Sequence, residues 1–265
     1  MMMDPGELVD QSFGPHLLHV SVDRISDFVS VTGDDPDRWA GAAPPGFAAA
    51  ALFVVAPDLL GQLTDHSVLH GEQTFTWHEA IEKGALLEVV GKVTKSRERG
   101  GAHFVGFDLV ASSDERPILE GSSLFVISGE PSQGAVEPER AEPPQGYAGE
   151  RDEGQVSASR ADLVRYAAAT RDWNPIHWDH DSAVAAGLPG IVVHGLLQAA
   201  WCFAAVSRQV SGTSPLHSAK VRFRQPLFPA RPVEVGVDRE DRVFKVEIAD
   251  DETIYTTARV EAGDG

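Results

Sequence analysis

Two stretches of the chain are apolar on nearly every side, and each is followed by a series of alternating segments. The first, Ala48 to Leu60, precedes Gln73-Thr-Phe75-Thr-Trp77-His, Leu86-Leu-Glu-Val89-Val90-Gly-Lys-Val93-Thr, His103 to Ala111 and Leu119 to Ile127. These have the period-two or β-branched character of strands, and Gly100-Gly101 marks a turn between two of them. The second, Ile191 to Val206, precedes Ala219-Lys-Val221-Arg-Phe223, Val233-Glu-Val235-Gly-Val237, Val243-Phe-Lys-Val246-Glu-Ile248 and Ile254 to Val260. A helix with no polar face must be buried in a core or a membrane, and about sixteen residues is short for a bilayer, so the pattern predicts core helices. One helix followed by about four strands, twice over, reads as an internal duplication of the α+β class, each antiparallel sheet covering its own apolar helix.

Between the copies, residues 129–155 are rich in Pro, Glu and Gly and nearly free of apolar side chains. Such a segment cannot bury enough surface to order itself, and it reads as a linker. The expected organisation is a first repeat over 1–128, a linker over 129–155 and a second repeat over 156–265, which suits a chain of 265 residues.

Composition narrows the function. Forty acidic against twenty-two basic residues leave a formal charge of −18, which argues against nucleic acid and anionic membranes as partners. An anionic ligand would need a local basic patch; Lys220, Arg222, Arg224 and Arg231 either form one or are solvated strand residues. The single cysteine, Cys202, lies inside the second apolar stretch, where a small buried hydrophobe is expected, and it rules out an intramolecular disulfide. MMMDPGELVD lacks the basic and apolar regions of a signal peptide, and Phe47 to Ala56 is too short to span a membrane, so a cytoplasmic protein is expected.

Candidate chemistry concentrates just before the second apolar stretch. Asp172 and His177 are five residues apart, and on a continuous helix they would point about 140° away from each other. Pro175 lacks an N–H and pushes Asn174 out of the helical region, so a helix ending near Thr170 must turn here and the two side chains can converge. His194 and Gly195 fall in the opening turn of the next helix, where N–H groups lack intrahelical partners and a developing oxyanion can be held. His194 is read either as a pocket wall or as a substrate contact, and Asn174 as ordering the turn; both are grouped with Gly195 as candidate substrate-binding residues. The acid and imidazole could merely cap that turn, and His177-Trp-Asp179-His180-Asp181 has metal-ligand chemistry, although neighbouring residues seldom converge on one ion. In the first repeat Thr32-Gly33-Asp34-Asp35-Pro36 parallels Thr170 to Pro175, but Trp39 stands where the histidine would be.

The run from Tyr166 to Asp179, followed by Gly190-Ile191-Val192-Val193-His194-Gly195, resembles the hydratase motif of the MaoC-like dehydratases, the (R)-specific enoyl-thioester hydratases and 3-hydroxyacyl-thioester dehydratases. More loosely, Ala43-Pro-Pro-Gly-Phe47 and Leu69-His-Gly-Glu-Gln73 resemble the degenerate dehydratase half of type I fatty-acid synthases and two-domain MaoC-like proteins. The resemblance implies a double hot-dog fold, two repeats in one chain in place of the homodimer of single-domain relatives. The first repeat would build the acyl pocket without chemistry of its own.

It further implies reversible hydration of a trans-2-enoyl thioester to an (R)-3-hydroxyacyl thioester. Asp172 and His177 would hold the catalytic water and the Gly195 amide would sit near the thioester carbonyl. No metal or other cofactor is implied, because the substrate carries its own coenzyme A or carrier-protein phosphopantetheine. Two other readings remain: a non-catalytic acyl-thioester-binding or partner subunit, and a hot-dog thioesterase. A homodimer or a heteromer of hot-dog units is also left open.

Overall fold

Side-chain hydrogen bonds start two matching helices, one in each half, and left-handed residues end them. In a computed structural model describing residues 4–129 and 154–263, Ser21 caps α1 (Val22–Thr32), which stops at Gly33 with φ 67°. Ser159 and Asp162 form a reciprocal capping box at α3 (Arg160–Thr170), which stops at Arg171 with φ 69°. In each helix a buried terminal threonine donates back to the carbonyl four residues earlier, Thr32 to Phe28 at 2.9 Å and Thr170 to Tyr166 at 2.8 Å. The two helices lie side by side, and Arg24 Nε donates to the Ala169 carbonyl at 2.7 Å. The duplication read from the sequence is thus a duplication of local structure.

The sheet repeats the same logic. β1 (Ser12–His19), β2 (Ser67–Trp77), β3 (Leu86–Arg99), β4 (Ala102–Ser113) and β5 (Arg116–Ser128) belong to the first half. β6 (Gln155–Val156), β7 (Leu216–Phe223), β8 (Val233–Glu240), β9 (Val243–Ala249) and β10 (Ile254–Ala262) belong to the second. The order is β1-β3-β4-β5-β2-β7-β10-β9-β8-β6, so each half mirrors the other about the β2–β7 seam. That seam is antiparallel, from Glu72 opposite Arg222 to Thr76 opposite Ser218. β1 was not predicted, and the expected linker falls mostly on 130–153, outside the described residues; Gln155, at its end, belongs to β6.

Both apolar stretches form core helices, but in the second Ile191 to His194 are not helical and the helix begins only at Gly195. α2 (Ala49–Leu60) packs on β1, β3 and β4, and α5 (Gly195–Ser207) packs on β7 to β10. Every α5 residue from Leu196 to Ser207 is buried, and each large apolar side chain among them contributes about 1.5–3 kcal/mol by leaving water. The turn Pro45–Ala48 leads into α2 and presses Gly46 onto α5: a Cβ there would lie 2.8 Å from the Ala200 methyl. α2 keeps Phe53, Val54 and Leu60 only partly buried, and this open face borders the site described next.

Candidate active site

After α3 ends at Thr170, the chain needs partners for its loose backbone groups, and short polar side chains supply them. Thr170 Oγ1 accepts from the Asp172 N–H and Asp172 Oδ1 from the Asn174 N–H, both at 3.4 Å; Asn174 Oδ1 accepts from the Ile176 N–H at 3.3 Å. Pro175 opens a one-turn 3-10 helix, Pro175–His177, which bends the chain. His177 is thereby carried back to face Asp172. The bend expected from the proline is present, and Asn174 orders it.

The imidazole of His177 is fixed by its far nitrogen. Nδ1 donates to the Val192 carbonyl at 2.8 Å, so Nε2 carries the lone pair. His194, the residue before α5, donates from Nε2 to the Asp172 carbonyl at 3.3 Å, and its buried Nδ1 has no partner among the described residues. The two rings stack with centroids 3.7 Å apart and planes tilted by 25°, and the Tyr166 ring also packs against His194 at 4.9 Å. One carboxylate oxygen of Asp172 and one ring nitrogen from each histidine lie within 4.8 Å of one another. Nearly parallel rings aim their in-plane lone pairs side by side rather than at one point, a poor arrangement for two ligands of a single metal ion. Asp179 instead accepts from the Ser182 N–H at 2.9 Å and starts α4 (His180–Ala185).

Burial sets the protonation states. Asp172 is 5% exposed, and desolvation lifts its carboxyl to about 7, opposed by the Asn174 N–H. Desolvation pushes His177 down to about 4 against the Val192 carbonyl, and pushes His194 well below the usual histidine range. Tyr166 is raised well above the usual phenol range, first by burial and then by the Asp172 charge. A carboxyl near neutrality beside a neutral imidazole with a free lone pair is a proton-exchanging pair.

These groups face a cavity of about 410 Å³ that also touches Gly195, Gln198 and Arg224. The Gly195 N–H has no partner among the described residues, as expected at a helix start. The glycine itself has a second reason: a Cβ there would lie 3.1–3.2 Å from three atoms of the Phe223 ring. Phe53, Leu60, Val68 and Leu188 also border a wider cleft of about 1140 Å³ that reaches Asp172 and Asn174.

Sequence reasoning missed three residues here. Gln198, one turn into α5, is buried and accepts from Thr256 Oγ1 at 2.8 Å. Tyr166 was counted only as a motif position. His70, from the first repeat, lines the cavity alongside the residues of the second. The basic cluster divides: Lys220 and Arg222 both pair with Glu72, at 2.7 and 2.9 Å, and Arg231 pairs with Asp250 at 2.8 Å. Arg224 alone reaches the cavity. Cys202 is buried, with its thiol pushed up to about 12. In the first repeat Trp39 is fully buried beneath the Arg38 guanidinium, 5.0 Å from its ring centroid, so no imidazole answers Asp34.

Residues 142–262 match the MaoC-like domain, and residues 8–120 match the FAS1-like dehydratase domain region. The peroxisomal multifunctional enzyme type 2 of Drosophila melanogaster is 27% identical over 217 residues, 72% of this chain and 36% of that protein. The chain spans less than half the length of the curated relatives it matches. Among solved structures, HtdX of Mycobacterium tuberculosis superposes with a TM-score of 0.73 at 19% identity, covering 96% of this chain and 100% of HtdX. A second protein of that organism, described as having a double hot-dog fold, gives 0.62 at 13% identity with 96% of each chain covered. The architecture above is a double hot-dog.

Proposed function

From the MaoC-like domain over residues 142–262 and the FAS1-like dehydratase region over residues 8–120, we propose that the chain is a MaoC-like dehydratase with a degenerate first repeat, and that it reversibly hydrates trans-2-enoyl thioesters of coenzyme A or an acyl carrier protein to (R)-3-hydroxyacyl thioesters. One observation carries the reading. Asp172, His177 and Gly195, whose N–H has no partner among the described residues, come from two separated segments and line one cavity that has an apolar extension.

In the hydration direction a water donates one hydrogen bond to the Asp172 carboxylate and one to the His177 Nε2 lone pair, leaving its oxygen free to attack the β-carbon. Asp172 takes the proton and returns it to the α-carbon, so the sum is H and OH added across the double bond. Negative charge builds on the thioester oxygen meanwhile, and the Gly195 N–H at the positive end of α5 stabilises it. The reaction balances with water alone. The acyl chain lies along Phe53, Leu60, Val68 and Leu188, most of them from the first repeat.

The test is hydration of crotonyl-CoA by the purified chain, followed by loss of the conjugated absorbance and by chiral analysis of the product. The expected product is (R)-3-hydroxybutyryl-CoA with no free thiol. Thiol release would instead indicate a thioesterase. Tight binding of several acyl-CoAs with no turnover at any chain length would indicate a binding subunit.

A further inference from the structure

Along β2 the residues from Leu69 to Gln73 break the alternation of the strand. Residues three apart on a regular strand point to opposite faces, so His70 and Gln73 should be unable to meet. The ladder to β5 pairs His70 with Phe125, Glu72 with Leu124 and Gln73 with Ser123, leaving Gly71 as an extra residue. That bulge turns His70 onto the face shared by Phe125 and Ser123, which is also the face of Gln73.

A hydrogen-bonded chain results. Gln73 is fully buried, and its amide NH₂ donates to the Thr74 carbonyl at 2.8 Å, which can only accept; this fixes which end of the amide points where. Its Oε1 therefore faces Ser123 Oγ at 2.6 Å and His70 Nε2 at 3.1 Å, and both must donate. The Gln73 bond holds His70 as the Nε2–H tautomer, with the Glu72 backbone also beside the ring, and so leaves the lone pair on Nδ1. The ring is wedged between Phe125 and Phe223, at 5.0 and 5.1 Å, and Phe223 packs on Gly195. Glu72, on the opposite face, clamps Lys220 and Arg222 across the seam.

We propose that His70 is a substrate-binding residue which the first repeat contributes to the site of the second. Its Nδ1 accepts a hydrogen bond from an amide N–H of the thiol arm carried by acyl-CoA and acyl-carrier-protein thioesters, and Gln73 and Ser123 are the positioning residues that fix the tautomer. The proposal rests on the acyl-thioester reading above and adds the part of the substrate that is recognised. A repeat without catalytic groups then remains necessary for selecting amide-bearing thioesters.

Binding of butyryl-CoA, which has no double bond to hydrate, separates this inference from the catalytic one. Calorimetry on the full chain is expected to show that His70→Phe, which keeps the aromatic wedge, weakens binding about tenfold, the value of one lost hydrogen bond in a partly dry site. His70→Asn keeps an acceptor near the Nδ1 position and is expected to stay within about threefold of the parent. Gln73→Leu, which alters no cavity-lining residue, should reproduce the His70→Phe loss, and the double variant should lose no more than either single one. A further arm compares crotonyl-CoA with S-ethyl thiocrotonate, which has no amide: His70→Phe should raise KM for the first and leave the second unchanged. Equal butyryl-CoA affinity in the parent and His70→Phe overturns the assignment, as does an equal KM rise for both thioesters. A parent that binds no acyl-CoA overturns the acyl-thioester reading itself, and a parent that binds but does not hydrate overturns only the catalytic part.

Discussion

His177 and His194 stack face to face with 3.7 Å between ring centroids, although they come from different segments and each is anchored by a different carbonyl. His194 therefore acts as the back wall that stops the His177 ring from turning. His194→Ala removes that wall together with a bond to the Asp172 carbonyl. Crotonyl-CoA hydration should fall at least tenfold in kcat, and stability should drop by about 2 kcal/mol, as for other buried side chains cut to alanine. Urea unfolding read beside turnover checks both; unchanged kcat would show that the stacking positions nothing.

Asp172 links activity to stability. Its folded pKa of about 7 lies above the ordinary carboxylate value, so the folded state holds the proton more tightly than the unfolded chain. The stabilisation from this group is fully present below about pH 4 and is lost as pH rises through about 7. Asp172→Asn should abolish hydration and yet be more stable than the parent at pH 8, by up to a few kcal/mol. The gain should vanish near pH 4. Denaturant midpoints at the two pH values test it; a variant equally destabilised at both would mean that the carboxylate is not buried at a cost.

The same shift shapes catalysis. In the proposed hydration the base is the Asp172 carboxylate, whereas His177, pushed to about 4, stays neutral throughout the accessible range. The value of kcat/KM should rise about tenfold per pH unit below about 7 and level off above it, with no second limb from an imidazole near 6.5. A profile flat from pH 5.5 to 8.5 would remove Asp172 from the role of base.

Much of this was legible in the chain, and what was hidden has physical causes. α5 is apolar on nearly every side and announces its burial, and the Asp172-to-His177 turn follows from the chemistry of Pro175 and Asn174. β1 was missed because Gly14 and Pro15 interrupt it and it pairs only along one edge, with β3. His70 was missed because strand alternation sends it away from Gln73 unless one knows that Gly71 is a bulge. The neutralisation of Lys220 and Arg222 depends on Glu72, about 150 positions earlier, and a reading of local charge cannot find such a pairing.

Gly195 joins the helix start to the aromatic wedge, so a single methyl group there probes both. In Gly195→Ala the new Cβ would stand 3.1–3.2 Å from the Phe223 ring, closer than ordinary van der Waals contact. The ring is itself packed against His70, with centroids 5.1 Å apart, which restricts its retreat. The methyl must therefore push the opening turn of α5, which carries the N–H assigned to the thioester oxygen. Gly195→Ala is expected to lower kcat at least tenfold and to cost about 1–3 kcal/mol, the usual range for overpacking a core. Phe223→Leu in the same chain makes room for the methyl, so the double variant should recover turnover relative to Gly195→Ala alone. If the double variant instead multiplies the two losses, the ring and the helix start are independent, and Gly195 serves only to admit the ligand.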